Sequence, residues 1–110
     1  MPHIIVEHTD LKSHSVDIKK LNKSLHDCLS MQESVALDAI KTRSIEVQNA
    51  FIGNGSEDSF VHITVLLLKG RTQELKETMA ESMFNCAHSY LEKVSCRLSI
   101  NIEELGVYRK

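Results

Sequence analysis

Apolar and polar residues alternate with period two in four stretches of this chain and recur at three- and four-residue steps in two others. From Pro2 to His8, Ile4 and Val6 point one way while His3, Ile5 and Glu7 point the other, which predicts a strand. From Val16 to Ser30, Ile18, Leu21, Leu25, Cys28 and Leu29 form the stripe of an amphipathic helix. Ser15 is its expected N-cap, and Asp17 suits the positive end of the helix dipole. Residues 31–38 carry no decisive period. Ala39 to Phe51 predicts a second strand, with Lys41, Arg43, Ile45 and Val47 on one face, and Gly53-Asn54-Gly55-Ser56 is a strong turn signal. The third strand, Ser59 to Leu68, is apolar on both faces: Phe60, Leu66 and Leu68 on one, Val61, Ile63, Val65 and Leu67 on the other. Gly70 then breaks the chain, and Thr72 can cap a second helix whose stripe is Leu75, Met79, Met83, Ala87, Leu91 and Val94. The last strand, Ser95 to Glu104, turns Cys96, Leu98, Ile100 and Ile102 inward and Arg97, Ser99, Asn101 and Glu103 outward.

The order is thus β-α-β followed by β-α-β. It predicts an α/β (α+β) fold, one domain over residues 1–110, in which a four-stranded sheet carries two helices on one face. Two helices cover only that face. The doubly apolar third strand requires cover on the other, and in a chain this short the simplest cover is another subunit. The same element order also occurs in ferredoxin-like domains, so a non-catalytic module binding a small ligand or a protein is the alternative reading.

Composition narrows the class. The 13 Lys+Arg against 15 Asp+Glu leave the chain near neutral, which argues against nucleic acid as its partner. The run Ile63 to Leu68, interrupted by Thr64, is far too short to span a membrane. Residues 1–10 contain His3, Glu7, His8 and Asp10 where a secretory signal needs a basic start and an apolar stretch, so the expected compartment is the cytoplasm. Cys28, Cys86 and Cys96 are odd in number and form no C-x-x-C pair, which suits small packing residues better than a disulfide framework or a zinc site. The six histidines show no H-x-H or H-x-x-x-H spacing, so no metal is expected. Gly53 and Gly55 stand between two strands rather than before a helix and make no phosphate loop.

Pro2-His3-Ile4-Ile5-Val6-Glu7, Ala39-Ile40-Lys41-Thr42-Arg43, Phe60-Val61-His62-Ile63-Thr64 with Gly70-Arg71-Thr72 after it, and Ile100-Asn101-Ile102-Glu103-Glu104-Leu105 stand in this order along nearly the whole chain. Together they resemble the 5-carboxymethyl-2-hydroxymuconate isomerase family of the tautomerase superfamily. The resemblance implies two β-α-β repeats assembled as a homotrimer. It implies an N-terminal proline exposed when the initiator methionine is removed. It also implies a cofactor-free 1,3-proton shift on an unsaturated dicarboxylate, in the breakdown of aromatic compounds.

That chemistry gives four residues their expected roles. Pro2 would carry a free secondary amine, which an apolar site and nearby cations would hold neutral, able to take a proton from carbon and return it two carbons away. Arg71, after Gly70 and at the start of a helix, is placed to hold a carboxylate or a dienolate oxygen. Lys41 stands where the family carries a functional arginine and offers a point charge instead of a planar fork. Arg43, two residues on and on the same strand face, can supply a fork from a neighbouring position. His3 and His62 occupy matching early positions in their strands and can help bind an anion or a carbonyl. Phe51 and Phe60 can shape an apolar pocket or simply pack.

Overall fold

The computed structural model describes all residues from Met1 to Lys110. Its elements are β1 (His3–His8), α1 (Ile18–Ser30), β2 (Lys41–Glu46), β3 (Ser59–Leu67), α2 (Gln73–Leu91) and β4 (Cys96–Glu104), with short 3₁₀ turns at Lys12–His14 and Leu37–Ala39. The strands form one sheet in the order β2-β1-β3-β4. β1 runs parallel to β2, β3 runs parallel to β4, and β1 and β3 meet antiparallel at the centre. Each helix is the crossover of its own parallel pair, so the two halves are related by an approximate two-fold between β1 and β3.

This order separates the two readings left open by the sequence. In the split arrangement of a ferredoxin-like domain, another strand lies between the two strands of each β-α-β unit. Here β1 lies directly beside β2, and β3 beside β4. The fold is therefore not the ferredoxin-like one of the alternative reading.

The core sits between the sheet and the helices. Ile4 and Val6 from β1 and Val61, Ile63, Val65 and Leu67 from β3 are buried against Leu21, Leu25 and Leu29 of α1 and Met79, Met83, Ala87 and Leu91 of α2. Leu11 and Val16 close one end, and Leu98, Ile100 and Ile102 of β4 are partly buried at the flank. The alternation along β3 is complete: every second residue from Ser59 to Leu67 is buried, and those between are half-covered. The half-covered residues, including Phe60 and Leu66, lie on the face without helices, where this chain has no second layer of its own.

Three boundaries differ from the sequence reading. Asp17, not Ser15, caps α1, accepting from the Lys20 amide at 3.2 Å. The turn over Lys12–His14 puts Ser15 in the left-handed region at φ 63°, whereas an N-cap has an extended backbone. β2 stops at Glu46 rather than Phe51 because its neighbour β1 ends at His8, whose carbonyl accepts from the Val47 amide at 2.8 Å as the last rung. Phe51 is fully exposed and lines none of the hollows of this chain. Finally, α2 ends at Leu91, and Val94 packs against the core from the turn that follows. Thr72 caps α2 as expected, accepting from the Leu75 amide at 3.1 Å.

Candidate active site

The register brings the start of β1 beside the start of β2. His3 pairs with Lys41 on one side and with Leu66 on the other. Pro2 is therefore pinned just before the first rung: it is buried, and its carbonyl accepts from the Lys41 amide at 3.0 Å. A residue without an N–H fits this place because it removes no ladder donor. With Met1 in place the Pro2 nitrogen is an amide, and the terminal amine belongs to Met1. That amine donates to the Ala39 carbonyl, which also accepts from Nζ of Lys41 at 3.5 Å. Burial holds the amine below the usual α-amine range, and the charge of Lys41, its hydrogen bond and the charge of Lys110 add to this, while Asp38 opposes it.

Lys41 and Arg43 project from β2 on the face away from the helices, and both are exposed. Across the sheet, Lys41 shares a row with His3, Leu66 and Glu103, and Arg43 shares one with Ile5, Thr64 and Asn101. Nη1 of Arg43 donates to Nδ1 of His3 at 3.0 Å, and Nε2 of His3 meets the Tyr108 hydroxyl at 2.9 Å. The four ion pairs of the chain are His14–Asp58, Lys23–Asp27, Lys76–Glu104 and Arg97–Glu57. Neither Lys41 nor Arg43 belongs to one. Two cations beside the chain start are thus left without a carboxylate of their own.

Arg71 lies at the same end of the sheet but is engaged differently. It follows Gly70, which takes φ +121°, a backbone conformation that side-chain-bearing residues rarely adopt. Its Nη1 donates to the Leu68 carbonyl at 3.4 Å and its Nη2 to the Ser34 carbonyl at 3.1 Å. Nε is buried and has no partner. The guanidinium thus ties the segment between α1 and β2 to the end of β3 with two of its five N–H groups, and the buried Nε–H is left unpaired. The structure brings Pro2, Lys41 and Arg43 together; it turns the fork of Arg71 toward backbone carbonyls.

None of these residues lines a closed cavity. The largest hollow, about 580 Å³, lies at the far end of β1 among His8, Lys12, Asp17, Lys19 and Glu46, and the other three also avoid Pro2, Lys41, Arg43 and Arg71. The candidate site is an open, cationic patch of sheet, and a pocket there needs cover from outside the chain. His62 is separate from it, bonded to the Ser99 hydroxyl at 2.7 Å. Nothing in the sequence marks Tyr108, which sits in an irregular tail where no period shows which way a side chain points.

Two β-α-β units in one mixed sheet with both helices on one face define a tautomerase-like fold. The sequence matches the family of 5-carboxymethyl-2-hydroxymuconate isomerase over residues 2–107, and the chain belongs to that family. Among solved structures it is similar to a 5-carboxymethyl-2-hydroxymuconate delta-isomerase, at TM-score 0.88 and 15% identity, covering 100% of this chain and 87% of that one. It is also similar to a 5-carboxymethyl-2-hydroxymuconate isomerase from Deinococcus radiodurans R1, at TM-score 0.86 and 24% identity, covering 99% and 88%. A fused 4-OT described as a wild-type symmetric trimer follows at TM-score 0.77 and 16% identity, covering 94% and 87%. At these identities the structures speak for the fold alone. No curated protein matches the chain by sequence. No helix is long and apolar enough to cross a membrane.

Proposed function

We propose that this chain, once Met1 is removed, catalyses a cofactor-independent 1,3-proton shift on an unsaturated dicarboxylate. The Pro2 amine is the base and then the acid. It takes a proton from the carbon beside a carbonyl, the electron pair moves into a dienolate, and the ammonium returns the proton two carbons away. Lys41 and Arg43 hold carboxylate or dienolate oxygens, and Arg71 contributes through the Nη N–H groups its backbone bonds leave unused. The observation that carries this reading is the pair of cations without counter-ions, Lys41 and Arg43, on the strand whose first amide bonds the Pro2 carbonyl. The same surroundings that depress the Met1 amine would depress a proline amine one residue on and favour its neutral form. The rigid ring on a strand end holds its lone pair in one direction.

A homotrimer completes the reading. The face away from the helices needs cover, the site needs walls, and the fused 4-OT relative is described as a symmetric trimer.

The test pairs intact mass of untagged protein with an isomerisation or ketonisation assay on enol and muconate-like dicarboxylates. Chains lacking Met1 are expected to turn over substrate, and Pro2→Ala is expected to lose most of that activity without unfolding. Undiminished turnover in Pro2→Ala would sink the proline mechanism. Sedimentation of the same sample should give three times the chain mass.

A further inference from the structure

We propose that His3 is a positioning residue of this site: its imidazole joins the Arg43 guanidinium to Tyr108 in one hydrogen-bonded row and so fixes both the fork and the C-terminal tail. The proposal rests on the preceding reading in that Arg43 is taken to meet a carboxylate.

The chemistry of the row leaves one arrangement. A guanidinium has donors only, so Nδ1 of His3, 3.0 Å from Nη1 of Arg43, must offer its lone pair. The neutral ring then carries its proton on Nε2, which donates to the Tyr108 oxygen at 2.9 Å. The two rings meet edge to face, with centroids 5.8 Å apart and planes at 74°. Protonating Nδ1 would set two donors against each other and break the row. The charged groups facing the ring all oppose that proton: Arg43 and Lys41 from β2 and the terminal amine from its own strand. On β3 its neighbours are the uncharged Leu66 and Thr64. Burial, then Arg43, the terminal amine and Lys41, hold its pKa below the ordinary histidine value.

The row does two things. It removes freedom from the long Arg43 side chain, so less entropy is lost when the fork closes on an anion. It also moors the tail after β4. The Leu105 amide binds the Leu67 carbonyl at 2.7 Å, and Tyr108 is the next tie along the chain. That mooring keeps Lys110 close enough to act on the terminal amine. The Tyr108 hydroxyl keeps its own proton to donate toward whatever occupies the patch.

The experiment uses the processed, full-length protein. Imidazole ¹⁵N shifts at pH 7 should show His3 neutral with its proton on Nε2, and its titration midpoint should rise in Arg43→Met. Binding of adipate, an unreactive saturated dicarboxylate, should weaken about 5- to 10-fold in Tyr108→Phe and in His3→Leu, the loss of one hydrogen bond's worth of orientation. His3→Asn, which keeps an acceptor for Arg43, should recover most of the His3→Leu loss. An imidazolium or an Nδ1–H tautomer at pH 7, or a midpoint indifferent to Arg43→Met, overturns the row. Adipate binding unchanged in both Tyr108→Phe and His3→Leu overturns the positioning role. Neither readout requires turnover, so an inactive but adipate-binding protein would count against the isomerase reading and leave this one judged on its own.

Discussion

The Lys41 amide and the Pro2 carbonyl are joined at 3.0 Å, so the β2 cation stands at a fixed remove from the beginning of the chain. A backbone rung is stiffer than any side-chain contact, and here it delivers a charge rather than only a strand pairing.

The first prediction follows from that rung. The Lys41 charge, after burial, is the next cause depressing the terminal amine. In Lys41→Met the pKa of the processed amine should rise, and the rising limb of kcat/KM against pH should move to higher pH. Lys41→Arg should keep the limb in place, since it keeps the charge, while changing KM through the geometry of the fork. A limb that stays put in Lys41→Met would show that Lys41 has no part in setting the amine.

Arg71→Ala should destabilise the chain as well as weaken activity. It leaves the Ser34 and Leu68 carbonyls without their donor, and a lost hydrogen bond to a charged group costs about 1.5–3 kcal/mol. Urea unfolding of the variant should shift accordingly, and a stability within error of the parent would show these contacts to be idle.

Leu25→Ala should be among the costlier single changes. Leu25 is fully buried in the layer between α1, α2 and the sheet, and such a truncation costs about 2–5 kcal/mol depending on how far the neighbours collapse. Thermal unfolding of the variant is the check.

Cys28 should be sluggish toward thiol reagents. Its Sγ donates to the Ser82 carbonyl at 3.6 Å, and burial, with Cys86 beside it, pushes the thiol up to about 11 from an ordinary 9.0. Because the thiolate is what reacts, alkylation at pH 8 should be about 100-fold slower than in the urea-unfolded chain. Mass spectrometry of labelled peptides reads this directly, and labelling at the unfolded rate would refute it.

Much of this was legible in the chain, for physical reasons that differ by residue. The period-two pattern of Val61, Ile63, Val65 and Leu67 and the helical stripe of Met79, Met83, Ala87 and Leu91 are local statements about which side is apolar, and burial follows them closely. The end of β2 is not local: residues beyond Glu46 keep strand-like character, but β1 has run out beside them. The cap of α1 is ambiguous in sequence because Ser15 and Asp17 are both good capping residues, and only the preceding turn decides which has the extended backbone. At the site, Lys41 and Arg43 were readable as one face of one strand, and Pro2 as its neighbour through family resemblance. Arg71 was named but not its grip on Ser34, since residues 31–38 gave no pattern to place. The bonds from His3 to Arg43 and Tyr108 depend on a parallel register and an irregular tail, neither of which a single strand's alternation encodes.

The approximate two-fold between the halves has a last consequence. Strands, crossovers and helix stripes can be duplicated along a polypeptide, but an α-amine occurs once per chain. If the reaction depends on that nitrogen, the second half cannot repeat it, whatever the likeness of its backbone. A trimer would then hold three reaction centres, not six, and titration with an amine-directed inactivator should end at one equivalent per chain. The architecture is doubled while the reactivity is single, which leaves β3, α2 and β4 free to serve as wall and anchor.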